Sequence, residues 1–522
     1  MYRFKKRKRT NGVRFSSPKE IRKEFVAIPK NYEGNIEQTG LPVASDKKHV
    51  YLDTNVSNNL IVGTAHSGKT QLFGLPMVKM MANSKEKPSF IFIDPHDEVI
   101  HEMYEYLMMH GYKIIYWNTD DRLCSLGLQG VGYNILSVLA KCYAKEIPTG
   151  GLSETLDLVK NLAESLTAND KCDPVWSKCT KALLSAIILY VMQKLYGKDR
   201  LDLFIMPNVY TFFLEYGSKN YTDASGQQRN ALDDIFATLS VNDPAKILYD
   251  NSRFADSEMR SSVFAVLSSN LNIFSDVGIE MLSSCNLFEF SELVNPEQPI
   301  AFIFCGSYYK RNHTFESIVF EQCYSELIRA AQESSGHKLS RKVYIFCDEF
   351  AEAFMIPRLA DKLETCNKYN ISFNILIMSF SFFYRKYNEN ETKRIMESFD
   401  NIVYLQSMDQ DTIKEISERL GKISHENRLE YLLSPFEITR LSLWHIIILR
   451  KHGKLPILSE LPPAFSIGIG YEEFMPRPKI CTESMDTEKA YNMFREFLKI
   501  MDNEKVSTTC VLSSSYKRSG EN

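Results

Sequence analysis

Short apolar runs alternating with helical stretches set the rhythm of the chain's early part. Leu60-Ile61-Val62, Ser89-Phe90-Ile91-Phe92-Ile93 and Tyr112-Lys113-Ile114-Ile115-Tyr116 read as buried strands, with Gln71 to Met81 and Glu98 to His110 as the helices between them. Strands and helices alternating at this spacing predict a parallel, doubly wound sheet. The rhythm then stops. From Ile135 to Ser283 apolar residues recur every three or four positions, in Ser153 to Leu166, Trp176 to Leu195 and Asp256 to Phe274, a helical pattern. Strand-like runs resume at Pro299 to Phe304, Val343 to Cys347, Phe373 to Met378, Asn401 to Leu405 and Trp444 to Leu449. A sheet interrupted and resumed in this way predicts a helical domain inserted into one α/β domain. The expected division is a basic, partly flexible start (1–48), a first part of the α/β domain (49–134), the insert (135–283), a second part of the α/β domain (284–465) and an extension (466–522). The polar, Ser-rich end of that extension, Val506 to Asn522, is expected to be disordered.

At 522 residues the chain exceeds a single core, and 44% hydrophobic with 24% charged residues describes a globular protein. A net charge of −3 excludes attachment to nucleic acid by a global positive field, leaving local patches. The 11 cysteines show no CxxC metal spacing and read as reduced, packed thiols of a cytoplasmic protein. The longest apolar runs, Ala182 to Met192 and Phe373 to Phe383, fall short of the roughly 20 residues of a membrane helix. Tyr2 to Arg9 is strongly basic, suited to anionic lipid or a DNA backbone at ~1 kcal/mol per charge, or to plain solvation.

The chemistry begins at Gly63-Thr64-Ala65-His66-Ser67-Gly68-Lys69-Thr70, set between a strand and a helix. Backbone N–H groups of such a loop cradle phosphate oxygens, Lys69 reaches the terminal phosphates, and the Thr70 hydroxyl ligates Mg²⁺. A nucleoside triphosphate with Mg²⁺ is the expected ligand. Hydrolysis needs an acidic partner, and Asp348-Glu349 supplies one directly after the strand Val343 to Cys347, at the end where α/β sheets place ligands. Asp348 joins Thr70 in the Mg²⁺ shell, and Glu349 polarises the attacking water. Lys69, Asp348 and Glu349 are therefore the catalytic candidates.

The order of these elements resembles the coupling proteins of type IV secretion and bacterial conjugation over roughly Val13 to Pro462. Gly12-Val13-Arg14-Phe15-Ser16-Ser17-Pro18-Lys19-Glu20-Ile21 is similar to the family's segment ahead of the core. Phe92-Ile93-Asp94-Pro95-His96-Asp97-Glu98 is similar to its Asp-Pro-Lys-Gly-Glu strand end, which makes Asp94 an auxiliary candidate. Asp173-Pro174-Val175-Trp176 and Ala182 to Ile188 resemble its tryptophan-bearing helix, Asp348-Glu349-Phe350 its acidic motif, and Ser407 to Gly421 its Asp-x-x-Thr…Ser…Leu-Gly stretch. The resemblance implies an α/β, P-loop (RecA-like) nucleotide-binding domain with a mostly parallel sheet and an inserted all-α domain. It further implies a homo-hexameric ATPase that uses ATP and Mg²⁺ to pass relaxase-bound single-stranded DNA, or protein substrates, to a type IV secretion channel.

Two positions depart from the family pattern. Where it carries an arginine for a neighbouring subunit's nucleotide, this chain has Asn367 followed by Lys368, a point charge without a bidentate fork. Where it carries a strand-end glutamine, this chain has Met378, which leaves Ser379 or Ser381 to contact water or phosphate. These substitutions admit a second reading, a receptor that binds nucleotide with little turnover; a double-stranded DNA pump of the chromosome-segregation class is a third, against which the insert around Trp176 weighs. The family's two N-terminal membrane helices are not in the sequence. A cytoplasmic protein recruited to the inner face of the membrane by a separate membrane protein is expected, with Arg3 to Arg9 as a docking segment. Deleting residues 3–9 should then lower the membrane-associated fraction; an unchanged fraction on cell fractionation identifies a solvated tail.

Overall fold

The computed structural model describes residues 13–30, 36–119, 132–167, 174–222, 226, 228–252, 257–305, 312–425, 428–463, 493 and 495–501. The basic run Arg3 to Arg9 and the tail Val506 to Asn522 lie outside them. Two compact units form, one from Met1–Asn118, Glu289–His313 and Phe320–Lys479, the other from Thr119–Phe288, Thr314–Val319 and Ile480–Asn522.

The first unit opens with the helix Pro18–Glu24. Ser17 accepts from the Glu20 N–H while the Glu20 carboxylate accepts from the Ser17 N–H, and Pro18 occupies the first turn. Strands β1 (Val26–Pro29), β2 (Leu41–Ser45) and β3 (His49–Asp53) make an antiparallel sheet in the order β1-β3-β2. The segment expected to be partly flexible thus carries regular structure in its described part: β2 and β3 are buried along most of their length, and Ile28 and Ile36 share a core cluster with Val50, Leu52 and Met80.

Next come β4 (Asn59–Val62), β5 (Ser89–Ile93) and β6 (Lys113–Asn118). A short hairpin, β7 (Asn220–Thr222) with β8 (Gln228–Asn230), follows within the second unit. The first unit resumes with β9 (Ile300–Cys305), β10 (Val343–Cys347), β11 (Ile371–Ile377) and β12 (Asn401–Tyr404). It ends with the hairpin β13 (Lys422–His425) and β14 (Arg428–Tyr431), then β15 (His445–Arg450) and β16 (Ile457–Glu460).

Nine of these form one sheet in the order β16-β15-β12-β4-β11-β10-β5-β9-β6. The seven from β12 to β6 are parallel; β15 and β16 add an antiparallel edge. Every residue of β4, β5, β10 and β11 is buried, which is why these strands read as unbroken apolar runs rather than alternating ones.

Polar residues interrupt those runs at one level. Asn59 stands opposite Asn374 on β11 and Asn401 on β12. Its Nδ2 donates to Asn374 Oδ1 (2.8 Å), and its Oδ1 accepts from Asn401 Nδ2 (2.9 Å). Beside it the Asn58 side chain accepts from the Phe373 N–H (3.0 Å) and donates to the Leu363 carbonyl (2.8 Å). Buried amides can meet these partners in only one alignment, so they fix the register of three parallel strands.

The second unit is built around the helix Pro174–Tyr196, against which Ser153–Thr167, Pro244–Ser252 and Ser257–Leu271 pack. Leu183 to Met192 is apolar on nearly all sides because neighbours surround it. Although its contiguous apolar run is short, Val175–Tyr196 is long and apolar enough by composition to cross a bilayer, with mean hydropathy 1.4. Two-thirds of that window is buried inside the unit. The β7–β8 hairpin departs from an all-helical reading. Asn230, at its end, caps the next helix by accepting from the Leu232 N–H (3.0 Å). Asp233 is buried and held by Arg260 (3.1 Å) and the Tyr249 hydroxyl (3.1 Å), so its charge has the partners that burial demands.

Replacing Asn59 with Ala strands Asn374 Oδ1 and leaves Asn401 Nδ2 only a 3.4 Å contact with Ser57 Oγ. The expected loss is about 2–3 kcal/mol, read as a lower thermal unfolding midpoint by circular dichroism.

Candidate nucleotide site

The loop Gly63 to Thr70 leaves the end of β4 pinned on both sides. The Gly63 N–H donates to the Ile377 carbonyl at the end of β11 (3.0 Å), and the Thr64 N–H donates to the Gln406 carbonyl just past β12 (2.8 Å). His66 and Gly68 take positive φ, 62° and 93°. A Cβ at residue 63 would stand 2.2 Å from Ser67 Oγ, so the close return of the loop requires glycine there. At residue 68 a Cβ would meet the Trp444 ring at 3.1 Å. The chain then winds through a π-helical turn, Thr70–Gly74, into the helix Leu75–Ala82, with Pro76 in its first turn. Amides that head such a helix lack intrahelical acceptors and point toward anions.

Lys69 is only 7% exposed. Its ammonium donates to the carbonyls of Gly63 (2.8 Å) and Thr64 (3.2 Å). Burial pushes its pKa down, while Asp348, Glu349 and Glu98 push it up. Thr70 Oγ1 stands 3.5 Å from Asp348 Oδ2, so a sequence separation of 278 residues closes to adjacent side chains. The Asp348 N–H donates to Ile93 at the end of β5 (3.2 Å), and the Glu349 N–H donates back to Asp348 Oδ1 (2.9 Å). Burial holds the Asp348 carboxyl above its usual range, against the lowering effects of the Glu349 N–H and Lys69. Glu349 has φ +44°, and its carboxylate lies 3.2 Å from His96 Nε2.

This cradle fits a nucleotide phosphate and its divalent ion. Ser67 Oγ is buried and has no hydrogen-bond partner among the described residues. Thr70 and Asp348 present two oxygens close enough to enter one cation's shell. The expected loop residues Gly63, Thr64, Ala65, His66, Ser67, Gly68, Lys69 and Thr70, together with Asp348 and Glu349, lie at one edge of the sheet.

The family model for type IV secretory system conjugative DNA transfer matches residues 15–430. The chain belongs to that family. No curated protein sequence matches it. Among solved structures, the plasmid coupling protein TrwB with the ATP analogue ADPNP superposes with a TM-score of 0.58 at 16% identity, covering 86% of this chain and 93% of that one. TrwB with ADP and Mg²⁺ gives 0.57 at 16%, with the same coverage. The sulphate-bound conjugative coupling protein TrwBdeltaN70 gives 0.59 at 15%, covering 86% and 92%. At such identities the likeness establishes the fold.

The auxiliary candidates fall in several places. Asp94 is buried and accepts from the Glu98 N–H (3.1 Å), so it starts the helix Glu98–Met109 at the edge of the site. Ser379 is buried just past β11, its hydroxyl shared with Ser381 (2.6 Å). Met378, half-buried, occupies the strand end between the loop strand and the acidic strand. Lys368 is exposed in the turn before β11. Seven strand residues, roughly 23 Å, separate it from the loop edge, so it cannot serve its own chain's nucleotide. Asn367 is committed elsewhere: its amide donates to Asp400 Oδ2 (2.9 Å).

In this member of the conjugative DNA transfer family, the Asp-x-x-Thr stretch is structural. Asp409 caps the helix Gln410–Leu420 through the Thr412 N–H (3.0 Å), and the Thr412 hydroxyl accepts from the Phe380 N–H (3.0 Å), steadying the turn after Met378. Two contributors had no signal in the sequence. Lys386 donates to the carbonyls of Phe350 and Ala353, closing the turn behind the acidic pair. Trp444, at φ 74°, lies on Gly68. Both depend on contacts between strand ends that no local pattern encodes.

An acid whose pKa is raised by folding stabilises the fold as it gains its proton, and costs stability once ionised. Asp348→Asn should therefore raise the thermal midpoint of nucleotide-free protein by about 1–3 °C near pH 7, the difference shrinking toward about pH 4. A lower midpoint at neutral pH would show that Asp348 is stabilising as the anion.

Proposed function

We propose that this chain is the coupling ATPase of a conjugative or type IV secretion system. The observation that carries the reading is the approach of Thr70 to Asp348 at 3.5 Å, with Lys69 and Glu349 beside them. The relatives TrwB with ADPNP and TrwB with ADP and Mg²⁺ support ATP and Mg²⁺ as the ligands. Lys69 and the loop amides hold the β- and γ-phosphates, and Thr70 and Asp348 hold the ion. A bound Mg²⁺ supplies neutralisation of charge developing on the transferred phosphoryl group. Glu349 takes the proton of the attacking water, a role that requires its carboxylate to turn from His96 toward the phosphate.

The family membership supports the cargo: single-stranded DNA with its relaxase, or a protein substrate, passed to a membrane channel. The active form is a homo-hexamer, held at the membrane by a separate protein. Division of the chain into a nucleotide domain and a helical, substrate-selecting insert belongs to the same reading. In the same reading Lys368, far from its own loop, acts on a neighbouring subunit's nucleotide.

Met378 and the committed Asn367 favour a second reading, a receptor that closes on nucleotide and turns over slowly. Steady-state ATPase of the purified chain, with and without single-stranded DNA, separates the two. The motor shows turnover raised by DNA, lowered about 100-fold or more by Glu349→Gln with nucleotide still bound, and abolished with binding by Lys69→Ala. Tight nucleotide binding without turnover in the unaltered chain leaves the receptor.

A further inference from the structure

We propose that His96, Glu349 and Glu352 form a second cation site, separate from Thr70 and Asp348, that takes a transition-metal ion such as Zn²⁺. His96 Nε2 lies 3.2 Å from Glu349 Oε2 and 2.9 Å from Glu352 Oε2. One ligand atom from each residue falls within 4.8 Å of the other two. Donors bound at about 2.1 Å to one tetrahedral ion stand roughly 3.4 Å apart, so the three converge with little movement. They come from the loops that follow β5 and β10, neighbouring parallel strands whose pairing of Ile93 with Cys347 holds both loops at the same edge.

An imidazole with two carboxylates suits Zn²⁺ or Mn²⁺ rather than Mg²⁺, which keeps its waters and favours oxygen. The surroundings supply a separate reason for a cation. Asp348, next to Glu349 in the chain and accepting from the Glu349 N–H, adds a further carboxylate beside the site. Against them stand Lys69, already donating to the loop carbonyls, and His96 itself. Side-chain exposures of 37% at His96, 29% at Glu349 and 53% at Glu352 let an ion enter without unfolding.

An ion held here occupies the carboxylate of Glu349 and withdraws it from the attacking water. That consequence rests on the ATPase reading; the binding does not. The test uses the full chain, stripped of metal and free of nucleotide and Mg²⁺. Zn²⁺ affinity is measured by competition with a chromophoric chelator, and Co²⁺ is followed by its visible d–d absorption. About one ion per chain is expected, weakened at least ~10-fold by His96→Ala and by Glu352→Ala and not weakened by Lys69→Ala. Equal affinity in the unaltered chain and both site variants overturns the site, whatever the turnover. Zn²⁺ added with excess ATP and Mg²⁺ should slow hydrolysis in the unaltered chain and spare the Glu352→Ala variant. Binding at this site without inhibition overturns the regulatory role.

Discussion

The alignment of the parallel strands β4, β11, β10 and β5 is the constraint on which the site depends. Their carboxyl ends emerge at one edge: Val62 gives the phosphate loop, Ile377 the Met378 turn, Cys347 the acidic pair and Ile93 the Asp94 turn. A slip of one residue would reverse which face each side chain occupies and draw Asp348 away from Thr70. Apolar runs alone hold such a register loosely, because one Ile or Phe replaces another at small cost. Asn59, bridging Asn374 and Asn401 inside the sheet, and Asn58, clasping the start of β11, make the alternatives expensive by leaving buried amides without partners.

The edge so formed concentrates charge. Lys69 is buried and Asp348 half-buried, and loss of solvation is the largest cause moving each from its ordinary range. Lys69 rests on two carbonyls of its own loop, and the Glu349 carboxylate lies against His96. Such a site is primed for a polyanion with a divalent ion, since each would answer an unmet electrostatic demand. The same logic explains the closures around it: Lys386 ties the turn behind Glu349, and Trp444 lies on Gly68.

The departures from the family pattern acquire physical content in the fold. Asn367 is part of the tether that joins Asp400, Asn58 and the turn before β11, so its side chain is spent on structure. Lys368 beside it is exposed and a full strand's length from its own loop. Met378 cannot hydrogen-bond a water, and the neighbouring Ser379 already shares its hydroxyl with Ser381.

Much of the fold was legible because buried parallel strands must be apolar throughout, and because a phosphate loop needs its glycines for backbone geometry. The runs at Leu60, Phe90, Ile345 and Phe373 became neighbouring strands of one sheet, and the spaced apolar residues from Ser153 onward became helices. The sheet before Asn59 and the β7–β8 hairpin escaped notice, since their short strands contain proline or polar residues and lack the unbroken apolar runs that mark β5 and β10. Lys69, Thr70, Asp348 and Glu349 could be named from local sequence, because each follows a strand end in a pattern that chemistry restricts. Their distance, the burial that shifts their charges, the pairing of His96 with Glu349 and the contact of Trp444 with Gly68 were decided by tertiary structure. Those depend on which strand lies beside which and at what register, and that is settled by packing across hundreds of residues rather than by any segment alone.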